Sequence, residues 1–463
     1  MCIYKMQNIW YNISRKNFYL TMEVCMFKIG CAEKELKIPL FVELYGYGPY
    51  AGRRNLGTIE KLFCRAFSFF NGRKRAMIIY SDICSTDGVY AAEMRAAIAA
   101  KLSLNPDGIA FVATHTHSAP ALSYSSTDTS GIRNFEFQEY YKKTVLEAAQ
   151  EALYAEEEIT SADAGAAAPE TPLGYNRVDM ERNLTDPAVR YMRFKRADGS
   201  VKLIIHNHGI HGTCDNGSLY KYASSDWMGK VNRFVRERGI ADFSLFLQGP
   251  AGDMMPKWDC NKDKDENSAA KLADEYLKVL EKDFVNARPA DFEKIDFIRR
   301  NTEFPTVKQT ADDLRRDAAM LRTRGENQAS RDYWAINAQR CDEMALLLEK
   351  GHCFTSCYDL QILSLGNAQI MFVPGELYVE LGMELLAQSG AEFPFVSTVA
   401  NGNGMYFFTE ECAKRYPDIS SPANLYGYYE IYCYMHSLRF KYQNNIGNFI
   451  VKSFKKLEEA QND

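Results

Sequence analysis

Short apolar runs, each closed by an abrupt switch to Gly, His, Asp or Glu, alternate along this chain with segments of helical spacing. From Phe27 to Asp82 the pattern is mostly β, with a first strand followed by Leu62 to Phe70 and Arg75 to Asp82. The last two are joined through Asn71-Gly72, a hairpin signal. Apolar residues at helical spacing from Glu93 to Leu102 stop before Asn105-Pro106, and Gly108 to Ala113 is a short buried strand. Phe135 to Tyr154 reads as a long amphipathic helix. Ala162 to Pro169, Val201 to Ile205 and Phe243 to Leu247 read as strands. Ser224-Ser225-Asp226 caps a helix running to about Arg238, and Ala269 to Val285 is another. A strand pair at Asp359 to Leu365 and Gln369 to Val373 follows. Then come a helix from Tyr378 to Ala387, a strand from Phe393 to Ala400 and a final helix from Ile446 to Leu457. The Tyr-rich piece from Tyr426 to Tyr442 reads as an aromatic core edge.

Alternating strands and helices of this kind predict an α/β protein with a mixed sheet core and surrounding helices. Residues 308–352 stand apart. From Ala311 to Lys350 they are dense in Arg, Glu, Asp, Ala and Leu at helical spacing, broken near Arg324 to Asn327, and predict a charged helical hairpin inserted into the body with a solvated face. Residues 1–25 read as an N-terminal extension with a misassigned start, and 26–460 as one domain.

Composition narrows the classes of function. A chain of 463 residues with 46% hydrophobic and 25% charged residues is an ordinary globular composition. Net charge is -5 without a basic cluster, which excludes the footprint of a nucleic-acid binder. No stretch reads as a transmembrane segment. The opening residues carry Lys5, Arg15 and Lys16 but no continuous apolar core, so no secretory signal is expected. Twelve cysteines without a Cys-x-x-Cys pair suit reduced thiols and a cytoplasmic location.

The candidate chemistry sits where strands end. Thr114-His115-Thr116-His117-Ser118-Ala119-Pro120 follows one strand, and two imidazoles one residue apart in extended backbone face the same way. That is a metal-ligand spacing, although a satisfied core pair fits it too. A second cluster, His206-Asn207-His208-Gly209-Ile210-His211-Gly212-Thr213, follows another strand, so five of the seven histidines lie at two strand ends. His206 and His208 share one face, and His211 lies beyond in the turn. Further elbows are Gly174-Tyr175-Asn176-Arg177, Gly252-Asp253-Met254-Met255-Pro256, Pro374-Gly375-Glu376 and Asn401 to Thr409. Ligands of α/β sheets bind at the carboxyl ends of strands, so these elbows are expected to converge. With His115, His211 and Glu376 available, Zn2+ is the natural occupant.

Taken in order, these motifs resemble the catalytic domain of the neutral (alkaline, non-lysosomal) ceramidase family, zinc-dependent amidases that cleave the N-acyl bond of ceramide. The resemblance runs from about Phe27 to Leu457. It implies His115, His211, Glu376 and Tyr406 as metal ligands, His117 and Asp253 as catalytic residues, and Asn176 and Arg177 as substrate contacts. The chain departs from the family at Gly252 to Lys257, where Met255 replaces the serine of Gly-Asp-Val-Ser-Pro-Asn. It also lacks the family's C-terminal immunoglobulin-like domain, so it looks like a short bacterial-type relative. The expectation is a zinc hydrolase of a small-molecule acyl amide or ester, with ceramide itself not fixed as substrate. The alternative is a metal-stabilised binding protein without turnover.

Overall fold

A computed structural model of the chain describes residues 26–47, 52–122, 131–215, 217–257, 267–325, 331–354, 356–417, 425–432 and 441–462. The expected extension at 1–25, the tip of the 326–330 break and the 433–440 part of the Tyr-rich piece lie outside the described residues.

Three sheets carry the architecture, which is α/β as the pattern predicts. In the first, Lys28–Leu36 pairs antiparallel with Leu62–Phe70, and that strand folds back on Arg75–Ser81 through the Asn71-Gly72 turn, with Phe70 opposite Arg75. Arg75–Ser81 then runs parallel to Ile109–Ala113. In the second, Val201–His208 is antiparallel to Val189–Lys195 and parallel to Phe243–Gln248. In the third, Cys357–Leu365 is antiparallel to Ala368–Phe372, which is parallel to Phe393–Ser397. Each sheet therefore ends on a parallel pair, and parallel strands release their chains at the same edge. The elbows after Ala113, His208, Gln248, Phe372 and Ser397 are the ones that carry the motifs.

Helices cover these sheets. Gly88–Leu102 starts five residues earlier than its apolar spacing suggests, because the Asp87 side chain accepts the Tyr90 N–H at 2.7 Å and caps it. Phe135–Tyr154 buries Phe137, Tyr141, Val145 and Ala149 at helical spacing within the cluster formed with the first sheet. Within the expected Ser224-Ser225-Asp226 cap of Asp226–Glu237, the aspartate supplies the bonds. Ser225 makes no side-chain cap bond, and Asp226, held at φ +55°, accepts the N–H of Trp227 at 2.7 Å and of Asp215 at 2.9 Å. Ala311–Gly325 and Arg331–Glu349 form the helical pair. Its apolar seam, Leu314, Ala318, Leu321, Trp334, Ala338 and Cys341, belongs to the same hydrophobic cluster as Tyr358, Leu360 and Ile362 of the third sheet. The hairpin is thus seated on the body through that seam while its charged face stays solvated. No helix among the described residues is long and apolar enough to cross a membrane.

Candidate metal centre

The first histidine pair is built differently from the extended segment expected. The strand stops at Ala113, and His115 takes φ +64°, the left-handed region that non-glycine residues avoid. Long-range bonds hold it there: the His115 N–H donates to the Ile83 carbonyl at 3.0 Å, and Thr116 bridges Gly212 in parallel. The approach of the two turns needs the glycine, since a Cβ on Gly212 would lie 2.7 Å from the His115 carbonyl oxygen. His115 and His117 still converge, with ring centroids 4.7 Å apart and perpendicular, but a backbone reversal brings them together and not strand alternation.

The ring nitrogens are sorted by what they face. His115 Nδ1 lies 3.0 Å from the Cys84 carbonyl oxygen, and His211 Nδ1 lies 2.9 Å from that of Met254. A carbonyl only accepts, so each Nδ1 carries a proton and each Nε2 is the nitrogen left to take up a further proton or a metal ion. Both Nε2 atoms stand 3.2 Å from the same oxygen, Glu376 Oε2. Neither His211 Nε2 nor Glu376 Oε2 has a hydrogen-bond partner, and both are sealed from solvent. Two lone pairs and a carboxylate oxygen buried around one point repel unless a cation is shared between them. Two imidazole nitrogens and a carboxylate oxygen are a donor set that suits zinc, so the residues present fit the ion.

The same electrostatics act on protons. Burial pulls His115 down, yet the Glu376 carboxylate and Cys84 outweigh it and set it well above its ordinary value. Burial pushes Glu376 up, but His115 and His211 hold it well below the carboxylate range. His211 is lowered to about 4, first by burial and then by Arg177. Cys84, His115 and His117 form a second grouping of possible ligands. Its thiol lies 3.7 Å from His115 Nδ1, the nitrogen already given to the Cys84 carbonyl, so the first grouping has the better-placed lone pairs.

His117 stands beside this trio. Its Nε2 is 3.2 Å from His115 Nε2, and its ring meets Tyr47 edge-on at 5.0 Å. Burial first, then His115 and His211, keep it uncharged, well below its ordinary value. Arg53 anchors its main chain, donating from Nη2 to the His117 carbonyl at 2.7 Å. At 6% exposure, against 1% for His115 and 0% for His211, His117 is the imidazole nearest solvent.

The remaining expected residues form an adjoining layer. Glu376 and Tyr406 sit opposite each other in a short parallel pair, so their side chains share a register. The Tyr406 hydroxyl accepts from Arg177 Nη2 at 3.2 Å. Arg177 is not a solvated charge. It is 6% exposed, donates to the Gly252 carbonyl at 2.8 Å, and pairs with Glu430 Oε1 at 3.0 Å. Asn176 and Asp253 lock the turn beneath it. Asn176 Nδ2 donates to Asp253 Oδ2 at 2.7 Å, Asn176 Oδ1 accepts from Val178 and Asp179, and Asp253 Oδ1 accepts the Val379 N–H at 2.8 Å. Met255 places its sulfur 3.7 Å from Arg177 Nη1. His206 and His208 lie away from the site. The former is bonded to Tyr276 and Ser244, the latter to the Ala188 carbonyl, and both belong to the core.

Several contributors escape sequence reasoning. Cys84 and Met254 act through carbonyls, which every residue has. Arg53 and Glu430 stand in stretches without a motif. Only Gly46 leaves a trace, in the Tyr45-Gly46-Tyr47 run of the sequence: a Cβ there would lie 2.6 Å from the His117 ring.

No family model and no curated protein matches the chain. Among solved structures it is similar to the neutral ceramidase from Pseudomonas aeruginosa, with a TM-score of 0.72 and 13% identity over 95% of this chain and 75% of that one. A ceramidase complexed with C2 gives a TM-score of 0.68 and 13% identity over 94% and 75% of the two chains. Nearly the whole of this chain therefore has the fold of the neutral ceramidase structures.

Proposed function

We propose that this protein is a zinc-dependent hydrolase of linear acyl amides, with esters as a secondary class. The observation that carries the reading is the pair of Nε2 lone pairs, His115 and His211, facing one unpartnered oxygen of Glu376. The likeness in fold to ceramidases favours the same class of bond.

In this reading His115, His211, Glu376 and Tyr406 hold the ion. Zinc bound there would polarise the scissile carbonyl and lower the pKa of water towards about 7. His117, uncharged and the least buried of the three imidazoles, takes a proton at a ring nitrogen and returns it to the leaving amine. Asp253 and Asn176 act through the turn they lock, since their polar atoms are already committed to one another and to main-chain N–H groups. No serine nucleophile is needed, so Met255 is compatible with turnover. The test is elemental analysis of purified protein, followed by a screen of N-acyl compounds with and without a chelator. Protein that takes up no zinc, or that hydrolyses the compounds equally well in chelator, defeats the reading.

A further inference from the structure

Arg177 and Glu430 form an ion pair that the hydrolytic reading leaves without work. Glu430 lies in Leu425–Tyr432, far along the chain from the other site residues, and its side chain is fully buried. Its Oε1 is 3.0 Å from Arg177 Nη2. That nitrogen donates its two hydrogens to the Gly252 carbonyl at 2.8 Å and to the Tyr406 hydroxyl at 3.2 Å, so the contact with Glu430 is one of charge. A buried guanidinium needs a counter-ion, and removing one partner of such a pair is strongly destabilising. The other carboxylates nearby are committed. Glu376 faces the two histidines, and Asp253 is bonded to Asn176 and Val379.

We infer that Glu430 and Arg177 are positioning residues for Tyr406: the carboxylate holds the guanidinium, and the guanidinium fixes the phenol oxygen toward the Glu376 side of the site. Three features carry this. The donor that meets Tyr406 is the same atom that meets Glu430. The strand register sets Tyr406 opposite Glu376, so the phenol is delivered to the site by backbone and needs only its oxygen aimed. Arg177 is pinned at both its ends as well, with its main-chain N–H on the Asp253 carbonyl at 2.8 Å and its Nη1 against the Met255 sulfur. Met255 thus seals the guanidinium on one side while Glu430 neutralises it on another. Arg177 is assigned to the metal's surroundings and not to the substrate.

The inference rests on the metal reading and is separable from it by zinc affinity, measured by chelator competition without substrate. Glu430→Gln keeps shape and removes charge, and it should weaken zinc about 10- to 100-fold, the usual effect of losing a partner that orients a ligand. Arg177→Lys should do the same, since the shorter lysine side chain stops its ammonium short of the place that Nη2 holds. The deciding arm is the Tyr406→Phe background. There Glu430→Gln should cost no further zinc affinity, because nothing is left to aim. Equal losses in both backgrounds, or wild-type affinity in Glu430→Gln, would overturn the assignment while leaving the metal centre intact. Wild-type protein that binds no zinc would remove both. If Glu430→Gln yields no folded protein, as judged by circular dichroism, Arg177→Lys carries the same two-background comparison.

Discussion

His211 gives its Nδ1 hydrogen to the carbonyl of Met254 at 2.9 Å, in the elbow from Gly252 to Pro256. One main-chain acceptor fixes the tautomer, the ring orientation and the direction of the free lone pair. The elbow therefore aims the ring through its main chain, whatever side chain stands at position 255.

Metal content follows from that geometry. Purified protein should hold about one zinc per chain, the number that a single set of N and O ligands implies. His211→Ala and His115→Ala should each release it. Elemental analysis showing wild-type zinc in either variant would break the ligand set.

His117 should separate from the ligands in its effect. His117→Ala should keep zinc and lose about 10²- to 10⁴-fold in rate on the best N-acyl substrate, the usual contribution of a positioned acid–base group. Parallel loss of zinc in His117→Ala would make it a ligand and leave the proton transfer to another group.

Met255→Ser tests whether a serine in the Gly252 to Pro256 elbow matters. Because zinc-activated water is taken as the attacking group, the change should not create strong activity on a short-chain ceramide in detergent. Cleavage of ceramide by the wild type should be weak beside that of soluble N-acyl compounds. The variant should also lose about 2 to 5 kcal/mol of stability, the range for truncating a buried methionine. Efficient ceramide turnover by the wild type, or a large gain in the variant, would contradict this.

Acid sensitivity should trace partly to His206. Burial lowers it from 6.5 to about 3, so below pH 6.5 the unfolded chain binds a proton that the native state refuses. Stability then falls with falling pH, by about 1.4 kcal/mol per unit for this one group, until the native imidazole also charges near 3. His206→Gln should flatten the acid limb over that window by about one proton, read from urea midpoints against pH. An unchanged slope would mean that His206 is not held neutral in the fold.

The sequence by itself determined the elements and the residue types at their ends. Apolar period, Asn-Gly and Pro punctuation place most of the strands and helices to within about five residues, because those signals are local, but the strands Val189–Lys195 and Ile295–Glu303 went unread. Seven histidines, five of them at two strand ends, mark the chemistry for the same reason. Tertiary structure decided which of them meet. His115 and His117 look like an extended pair, but a left-handed residue held by Ile83 and the Gly212 turn sets their angle. His206 and His208 look as promising as His211, yet their strand turns them into the core, where Tyr276 and Ser244 satisfy the first. Glu376 and Tyr406, thirty positions apart, become neighbours only through a two-residue parallel pairing. The acceptors on Cys84 and Met254 are carbonyls, common to all residues, and Glu430 reaches Arg177 from a helix with no motif of its own. Which lone pairs stay free, and which charges are balanced, depends on contacts between distant segments, and those are set by packing and register, not by any local pattern.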